Sequence, residues 1–537
     1  MSLKTLVASI AFVFVFVFVS AAPAGANAAA ADWPSYNRTL TGDRYSPLDA
    51  INTRNVRNLK IRCTYDTGEQ VSFQTGLVEV GGALLFGTEK DTFSIDANTC
   101  KQNWRAHEEF ASGALKVDRG LVWADGNVYR GTADGRVLAY AAKDGHRLWA
   151  TTIADPAKGE SVPAAPIAWN GLIFAGNAGS DNKGVKGRMY ALDAQDGHIV
   201  WEFYMVPKGA SDFARGPQAP SDGSPATGSW NNGKDFPITG GGTWTSYTLD
   251  PAEGLLYVPG GNPAPDFSNE DRPGDNLFTD SVVVLDAKTG AYRRHFQLTK
   301  RDFHDWDAST APVVFTSKAD RKLLAEAAKD GHLHVIDLGS GKTLFSEPVT
   351  RILNIDAPMT AAGTRFCPGV MGGEEWNSPA YAPASNLLFT GEVDWCTTVN
   401  LVPRDKIASA PDGKPWSGDS TGFGKQDDKK DWAGYMTATD ADTGKRVWQF
   451  KAPAPLMGGI TPTAGGVLFF GDMVGTFYAF DSASGKKISS WDLGGAIAGG
   501  VITYDSGEGQ RVATTAGMTS TIWQTGEVTG KVIVLGL

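Results

Sequence analysis

Histidine and cysteine are scarce in this chain of 537 residues, which contains 7 and 4 of them. Neither an HExxH nor a CxxCH pattern occurs, which excludes the common zinc-hydrolase helix and a covalently bound c-type haem in this chain. The sequence has no basic block, and 49 Lys and Arg against 59 Asp and Glu give a formal net charge of −10. Acidic chains without a basic patch bind nucleic acids poorly, so we expect no nucleic-acid partner.

Long apolar runs are absent except near the start, where residues 6–19 follow Lys4. Small residues and Ala-x-Ala patterns come next, so residues 1–28 have the organisation of a secretory signal peptide. We predict cleavage near Ala26 or Ala28 and a periplasmic protein with no membrane span. The alternative is an uncleaved anchor, but the apolar run is shorter than the ~20 residues that a spanning helix needs.

Glycine and tryptophan, with 64 and 16 residues, are abundant and favour many short strands and tight turns. One short sequence pattern, which we call the repeated phrase, recurs along the chain. In it, an Asp is followed by turn residues, which usually include a Gly, and then by an aromatic residue. It occurs at 94–104, 191–201, 284–296, 335–345, 438–448 and 479–491, with a weaker copy at 139–149. Repeats of about 40–50 residues with several strands are typical of β-propeller blades. Seven copies and a blade shared between the chain ends predict seven or eight blades, whereas a β-sandwich array would not need so regular a phrase.

Two segments interrupt the regular spacing of the repeated phrase. Residues 207–237 are rich in Gly, Pro and Ser, and residues 403–432 are polar and charged. Two gaps between successive copies are about twice the usual length, so each gap holds either a degenerate copy or long loops. We predict that both segments are loops rather than blades.

The four cysteines are Cys63, Cys100, Cys367 and Cys396. They fit an oxidising compartment, where disulfides persist. Three pairings are possible. Pairing along the chain, 63 with 100 and 367 with 396, would close loops of tens of residues, and buried free thiols are the remaining alternative.

Several further stretches resemble one family. They are DWPSYNRTLTGDRYSPLDAINTRNVRNLK at 32–60, GGGTWTSYTLDP at 240–251, GGNPAPDFSNEDRPGDN at 260–276, HDWD at 304–307 and KDGHLHVID at 329–337. With the repeated phrase, which resembles a tryptophan-docking motif, they make the chain similar to alcohol dehydrogenases that depend on pyrroloquinoline quinone (PQQ), of the methanol and ethanol dehydrogenase type. This resemblance implies an all-β, eight-bladed β-propeller over residues 29–537, without a fused haem domain. The family-like position of the second cysteine pair favours pairing along the chain.

The resemblance also implies a divalent cation beside PQQ, and a hard cation takes oxygen ligands. The motif match assigns Asn262 and Asp307 as ligands, and Asp307 as the general base that accepts the alcohol proton. The third ligand precedes a G-V-x-G run, where strict counting gives Asn182 and a one-residue insertion gives Asp181. We favour Asp181, because two neutral amides would leave a Ca²⁺ site short of charge. Without the other family motifs, Asp307 would be interpreted as an ordinary turn residue. Its neighbour Asp305 is expected to lie behind the ligands and to support Asp307.

Four further residues are expected at PQQ itself. Trp244 resembles the stacking floor of the family, because a flat ring orients a flat cofactor and excludes water. Lys329 stands where the family has a cation at the quinone oxygens, and Arg119 where it has an arginine that pairs with a PQQ carboxylate. Trp376 matches a further contact loop. The ordinary alternatives are a docking tryptophan for Trp244 and a surface turn lysine for Lys329.

The expected cofactor pocket departs from the family pattern. Gly113 and Ala114 stand where the family has two adjacent cysteines packed over the cofactor. Other replacements fall at Pro163, at Phe73 or Gln74, and at Glu375, which precedes Trp376 where many members have Asn. The residues of the reaction are therefore present, but one face of the quinone must be covered differently.

The implied reaction is oxidation of a primary or bulkier secondary alcohol to an aldehyde or ketone, with electrons passed to a separate cytochrome c or similar carrier. The alternatives are a non-catalytic propeller scaffold and a quinoprotein that acts on sugars or cyclic polyols. Lanthanide-using members of the family carry an added Asp where this chain has Ser309. With Asp181 and Asp307 as the carboxylates, the charge favours a divalent ion, and we expect Ca²⁺.

Overall fold

The computed structural model describes residues 32–111, 115–210, 212–220 and 225–537. The predicted signal peptide, 1–28, and its cleavage near Ala26 or Ala28 therefore lie outside the described residues. The described chain is all-β, as predicted. It forms eight large sheets, two small sheets and one short α-helix, Arg404–Ala408.

Each large sheet is antiparallel, and we number the sheets along the chain. Sheet 1 contains Val78–Val80, Ala83–Gly87, Asp91–Asp96 and Gln102–His107; sheet 2 contains Leu121–Ala124, Asn127–Gly131, Arg136–Ala141 and Arg147–Thr152. Sheet 3 contains Ile167–Trp169, Leu172–Gly176, Arg188–Asp193 and Ile199–Tyr204; sheet 4 contains Thr248–Asp250, Leu255–Gly260, Ser281–Asp286 and Tyr292–Gln297. Sheet 5 contains Val313–Thr316, Lys322–Ala327, His332–Asp337 and Lys342–Pro348. Sheet 6 contains Gly373–Glu374, Ala380–Ala382, Leu387–Asp394, Ala433–Asp440 and Arg446–Ala452; sheet 7 contains Thr461–Pro462, Val467–Gly471, Thr476–Asp481 and Lys487–Asp492. Sheet 8 contains Val501–Asp505, Gln510–Ala516, Lys531–Gly536 and Lys60–Asp66.

The sheets form a closed ring. The first strands of sheets 1, 2 and 3 contact each other in order, and so do those of sheets 4 to 8, with Ala380–Ala382 as the contacting strand of sheet 6. A hydrogen bond from Thr243 N to Asn177 O (2.9 Å) joins sheets 3 and 4, and one from Gly500 N to Thr75 O (2.9 Å) joins sheets 8 and 1. Sheet 8 combines strands from both ends of the chain. This is the arrangement of a β-propeller.

The repeated phrase forms the contact between adjacent sheets. The indole Nε1 atoms of Trp104, Trp149, Trp201 and Trp448 donate to carbonyl oxygens of the next sheet's phrase at 2.8 to 3.1 Å. The glycine of that phrase receives the ring. For example, Gly485 has φ +70, and a Cβ added to it would lie 2.5 Å from Trp448. The glycine thus permits both the turn and the close approach of the aromatic ring.

The interrupting segments are largely loops, as predicted. The described part of 207–237 contains the 3₁₀-helix Pro225–Ser229, and 403–432 contains Arg404–Ala408, the short strand Lys425–Gln426 and the 3₁₀-helix Lys429–Asp431. The remaining small elements are Ser72–Phe73 paired with Val117–Asp118, Thr364–Phe366 and Thr397–Val399 paired in one small sheet with Lys425–Gln426, and the 3₁₀-helices Val56–Asn58 and Pro156–Lys158.

Both predicted disulfides are confirmed. Cys63 is bonded to Cys100 and Cys367 to Cys396, with Cα–Cα distances of 5.7 and 4.6 Å. Cys100 occupies the place of the glycine in its copy of the phrase, with φ +56. Across the described ranges, the structure contains no helix long and apolar enough to span a membrane.

Candidate active site

The predicted site residues come from corresponding places in different sheets. Arg119, Trp244 and Asp307 precede the first strands of sheets 2, 4 and 5, and Trp376 precedes the strand Ala380–Ala382 of sheet 6. Asp181, Asn262 and Lys329 follow the second strands of sheets 3, 4 and 5. In an antiparallel pair, the start of one strand lies beside the end of the next. The topology therefore gathers these residues at one end of the ring.

Asp307 lies at the centre of the site and is almost fully buried. Its Oδ1 accepts hydrogen bonds from Trp244 Nε1 and from the backbone N of Asn262, both at 3.0 Å. Its Oδ2 accepts a hydrogen bond from Lys329 Nζ at 3.1 Å. A Cβ added to Gly261 would lie 2.5 Å from Asp307 Oδ1, which explains the glycine before Asn262. Both oxygens therefore have donors, which fix the orientation of the carboxylate.

Lys329 joins Asp307 to Asp305. Its Nζ lies 2.6 Å from Asp305 Oδ2 and is buried with both carboxylates. Burial by itself lowers the pKa of a lysine, but Asp305 and then Asp307 more than offset it and hold the pKa of Lys329 well above its usual range. Lys329 is therefore a fixed positive charge at the site.

An acidic cluster lies beside this lysine. Carboxylate oxygens of Asp181, Asp266 and Asp305 lie within 4.8 Å of one another. Burial, followed by the neighbouring charge of Asp307, raises the pKa of Asp181 to about 6. Burial, followed by the charge of Asp181, holds the pKa of Asp266 well above its usual range. A cation would relieve this repulsion and would find oxygen ligands already gathered.

Asn182, the alternative third ligand, lies outside this cluster. Its side-chain amide donates to the backbone oxygens of Gly179 at 2.9 Å and Gly159 at 3.5 Å. Asp181, in contrast, takes part in the cluster with Asp266 and Asp305. The geometry therefore favours Asp181 over its neighbour as the residue that faces a cation.

Arg119 lies between the two predicted tryptophans. Its guanidinium carbon is 4.8 Å from the ring centre of Trp244 and 4.7 Å from that of Trp376, and its Nη1 donates to Trp244 O at 3.1 Å. Its buried Nε has no hydrogen-bond partner among the described residues. A buried guanidinium donor without an acceptor, between two aromatic rings, fits a flat ligand that carries carboxylates.

Known families and solved structures resemble this chain. A family model described as "Glucose/ethanol/alcohol dehydrogenase, beta-propeller domain" matches residues 33–352, which include all the predicted site residues except Trp376. The chain belongs to the PQQ dehydrogenase family. A second model, described as "Outer membrane protein assembly factor BamB", matches residues 433–533, which contain none of the predicted site residues.

Relatives of known name cover most of the chain. The quinohemoprotein alcohol dehydrogenase ADH IIB of Pseudomonas putida is 29% identical over 520 residues, covering 91% of this chain and 74% of its own. The dehydrogenase subunit of the quinone alcohol dehydrogenase of Gluconacetobacter polyoxogenes is 30% identical over 545 residues, covering 90% and 71%. A solved europium-containing methanol dehydrogenase superposes with a TM-score of 0.82 at 25% identity, covering 95% and 98%. The predicted family and the prediction of an enzyme are confirmed.

Glu375 precedes Trp376 and lies close enough to Lys329 and Arg119 for their charges to act on it. It is buried, and its Oε1 has no hydrogen-bond partner among the described residues. Burial is the largest effect on its pKa, which rises to about 7 although Lys329 and Arg119 lower it. Sequence comparison with the family identified this residue only as a replacement of Asn.

The other residues that depart from the family pattern have different surroundings. Phe73 packs in the apolar core between sheets 8 and 1, and Gln74 Nε2 donates to Ser72 Oγ at 2.9 Å. The carbonyl oxygen of Pro163 accepts a hydrogen bond from Arg119 N at 2.9 Å, so this residue helps to place the arginine. Gly113 and Ala114 lie outside the described residues.

The charge predicted from the sequence includes only the carboxylates of Asp181 and Asp307. The structure places Asp266 and Asp305 beside Asp181, so more carboxylates lie together than that prediction assumed. No pattern in the sequence distinguishes Asp266, four residues after Asn262, from the turn aspartates. Ser309 is uncharged, and its hydroxyl donates to Glu374 O at 2.5 Å.

Proposed function

We propose that this protein oxidises an alcohol to an aldehyde or ketone with PQQ and a bound cation. The observation that supports this most strongly is the environment of Asp307. One of its oxygens is held by Trp244 and Asn262, and the other by Lys329. A buried carboxylate fixed by three donors is suited to accept the hydroxyl proton of a substrate.

The remaining residues have complementary roles. PQQ, when bound, supplies the two-electron acceptor that the side chains lack. Arg119 would bind one of its carboxylates, and Trp244 and Trp376 would hold its flat ring system and exclude water. Lys329 stabilises negative charge that develops beside Asp307 during the reaction.

A hard cation would be held by Asp181, Asn262 and Asp307. The side-chain nitrogen of Asn262 donates to Asp266 Oδ1 at 3.1 Å, so its amide oxygen is the atom offered to the ion. Ca²⁺ is the divalent candidate, and the ion would act as a Lewis acid toward an oxygen beside Asp307.

The architecture and setting are parts of the same proposal. We infer that each of the eight large sheets is one blade, so that residues 29–537 form a single eight-bladed propeller closed by strands from both chain ends. Residues 1–28 would direct the protein to the periplasm. Because the chain has no CxxCH pattern, a separate cytochrome c or similar carrier would accept the electrons.

The test is reconstitution of purified mature protein with PQQ and either Ca²⁺ or a lanthanide, followed by dye-linked assays. The panel should contain primary and secondary alcohols, aldoses and cyclic polyols. We expect turnover of alcohols that requires both PQQ and the ion. Turnover confined to sugars or cyclic polyols would replace the substrate class, and binding of neither PQQ nor any ion would indicate a propeller scaffold.

A further inference from the structure

Residues 33–46, which we call the axial segment, run across the centre of the ring, and the proposed reaction gives them no role. The inner strand of each large sheet, its first strand or Ala380–Ala382 in sheet 6, is an edge strand whose backbone groups need partners. The axial segment supplies such partners to seven of the eight sheets. Its backbone pairs at 2.8 to 3.0 Å join Trp33 to Glu79, Pro34 to Trp123, Leu40 to Leu249, Thr41 to Val314, Asp43 to Tyr381 and Ser46 to Pro462, and Arg44 Nη2 lies 3.2 Å from Val501 O.

The axial segment lies behind the residues that we propose to bind PQQ. Arg119 and Trp244 precede the inner strands of sheets 2 and 4, and Trp376 precedes the inner strand of sheet 6. The axial segment forms its hydrogen bonds within these same strands. It therefore lies one layer deeper along the axis of the ring than the residues of the quinone side.

The hydroxyl of Tyr36 connects the axial segment to Trp376. Tyr36 is buried, and its Oη donates to Asn377 Oδ1 at 2.8 Å and to Trp376 O at 3.2 Å. The side-chain nitrogen of Asn377 donates to Ala498 O at 3.1 Å, so Oδ1 is the atom that faces the tyrosine. Trp376 Nε1 donates to the same carbonyl oxygen at 2.8 Å. Tyr36 thus holds the backbone of Trp376, and Ala498 holds its ring.

The ring of Tyr36 connects the axial segment to Arg119. Gly76 N donates to Arg119 O at 2.9 Å. A Cβ added to Gly76 would lie 2.4 Å from Tyr36 Cδ2, so the tyrosine ring packs directly on the backbone that holds the arginine. Arg44 is fully buried, and its Nη1 donates to Tyr36 O at 3.1 Å. Tyr36 is therefore fixed by its own segment and contacts the supports of both Trp376 and Arg119.

We propose that the axial segment is part of the cofactor site and that Tyr36 is a positioning residue for Trp376 and Arg119. This deepens the proposed function, on which it rests, by naming a residue that raises the affinity for PQQ without contacting it. Side chains that are fixed before a ligand arrives lose less conformational entropy when the ligand binds. The hydroxyl of Tyr36 acts on Trp376, and its ring acts on Arg119.

Tyr36→Phe removes the hydroxyl and keeps the ring. Fluorescence titration should show that PQQ affinity falls about 3–10-fold, the equivalent of one buried hydrogen bond, while Ca²⁺ affinity stays unchanged. The matched control is Tyr504→Phe, because Tyr504 is also buried and its hydroxyl donates to Ala97 O at 2.8 Å, between sheets 8 and 1. This control should bind PQQ like wild type. Unchanged PQQ affinity in Tyr36→Phe, an equal fall in Tyr504→Phe, or a parallel fall in Ca²⁺ affinity would overturn the proposal.

Two further measurements separate positioning from stability. Hydrogen exchange of the protein without PQQ should become faster at residues 371–378 in Tyr36→Phe and stay unchanged there in Tyr504→Phe. In a Trp376→Leu background, which lacks the ring to be positioned, Tyr36→Phe should lower PQQ affinity by less than about twofold further. Exchange like that of wild type at 371–378 in Tyr36→Phe, or a full fall in the Trp376→Leu background, would overturn the role of Tyr36.

The wild-type protein separates this inference from the proposed function. Wild type that binds no PQQ would refute the proposed function and this inference with it. Wild type that binds PQQ and oxidises alcohols, together with Tyr36→Phe that binds PQQ equally well, would refute only the inference.

Discussion

The two sides of the site differ in how they are built. On the cation side, Asp307 has three donors, and Lys329 is fixed between two carboxylates. On the quinone side, Arg119 Nε and Glu375 Oε1 are buried without hydrogen-bond partners among the described residues. Asp307 and Lys329 are thus satisfied by one another and by neighbouring groups, whereas Arg119 and Glu375, on the proposed quinone side, each keep a buried polar atom without a partner among the described residues.

This contrast explains which part of the family pattern this chain keeps. Groups that hold one another, such as Asp307 and Lys329, cannot change singly without leaving a buried charge unpaired. A residue whose partner is the cofactor can be replaced when the cofactor is bound in a different way. The replacements at Pro163 and Glu375 both lie on the quinone side, next to Arg119 and Trp376.

The largest effect should come from Asp307→Asn. Turnover of alcohols should fall at least about 100-fold, because an amide cannot accept the hydroxyl proton. Circular dichroism and the melting temperature should show a folded protein. Asp440→Asn, which changes a turn aspartate of sheet 6, is the control and should keep full activity. Substantial PQQ-dependent turnover by Asp307→Asn would mean that another residue is the base.

Arg119→Met should weaken the binding of PQQ without affecting the binding of the cation. Loss of a charged hydrogen bond to a carboxylate corresponds to a drop of about 10–100-fold in PQQ affinity. Fluorescence titration of the protein with PQQ measures this change. Arg105→Met, which removes a half-exposed arginine paired with Asp91, is the matched control and should bind PQQ like wild type. Loss of Ca²⁺ binding in Arg119→Met would show that PQQ binding and cation binding are not independent.

Glu375→Gln tests the raised pKa on the quinone side. The folded protein keeps a proton up to about pH 7 that the unfolded chain releases near its ordinary pKa of 4.5. This group therefore favours the folded state below pH 4.5, and the benefit is lost as the pH rises through 7. We expect wild type to lose up to about 3 kcal/mol more than Glu375→Gln between about pH 5 and pH 8.

Urea unfolding of the metal-free proteins measures that difference. Parallel pH profiles for wild type and Glu375→Gln would mean that the carboxyl is not held neutral by burial. The same variant should bind PQQ at least as tightly as wild type near neutral pH, because it removes a negative charge beside Arg119. Weaker binding by Glu375→Gln would show that the carboxyl itself contacts the cofactor.

The sequence predicted the repeating part of this molecule well. The Asp and Gly of a phrase form its turn, and its aromatic residue packs on the next phrase, as Trp448 does on Gly485. The pattern therefore reveals the strand, the turn and the interface together. The positions of Arg119, Trp244 and Lys329 followed from family motifs, and the structure brings these residues to one end of the ring.

The acidic cluster was harder to predict. Asp181, Asp266 and Asp305 are separated by 85 and 39 residues along the chain and come together only through the ring of sheets. No local pattern distinguishes Asp266 from the many turn aspartates, and its burial depends on loops from other sheets. For the same reason, the prediction from the sequence counted fewer carboxylates than the structure brings together around Lys329.

The most direct test of the account is a single turnover without an electron acceptor. Wild-type protein loaded with PQQ and an ion is mixed with an excess of alcohol under anaerobic conditions, and the absorbance of the bound cofactor is followed. We predict reduction of one equivalent of cofactor per protein, with formation of one equivalent of aldehyde or ketone, and at least about 100-fold slower reduction in Asp307→Asn. Binding of PQQ without any reduction by alcohols, or reduction at the same rate in Asp307→Asn, would contradict the account.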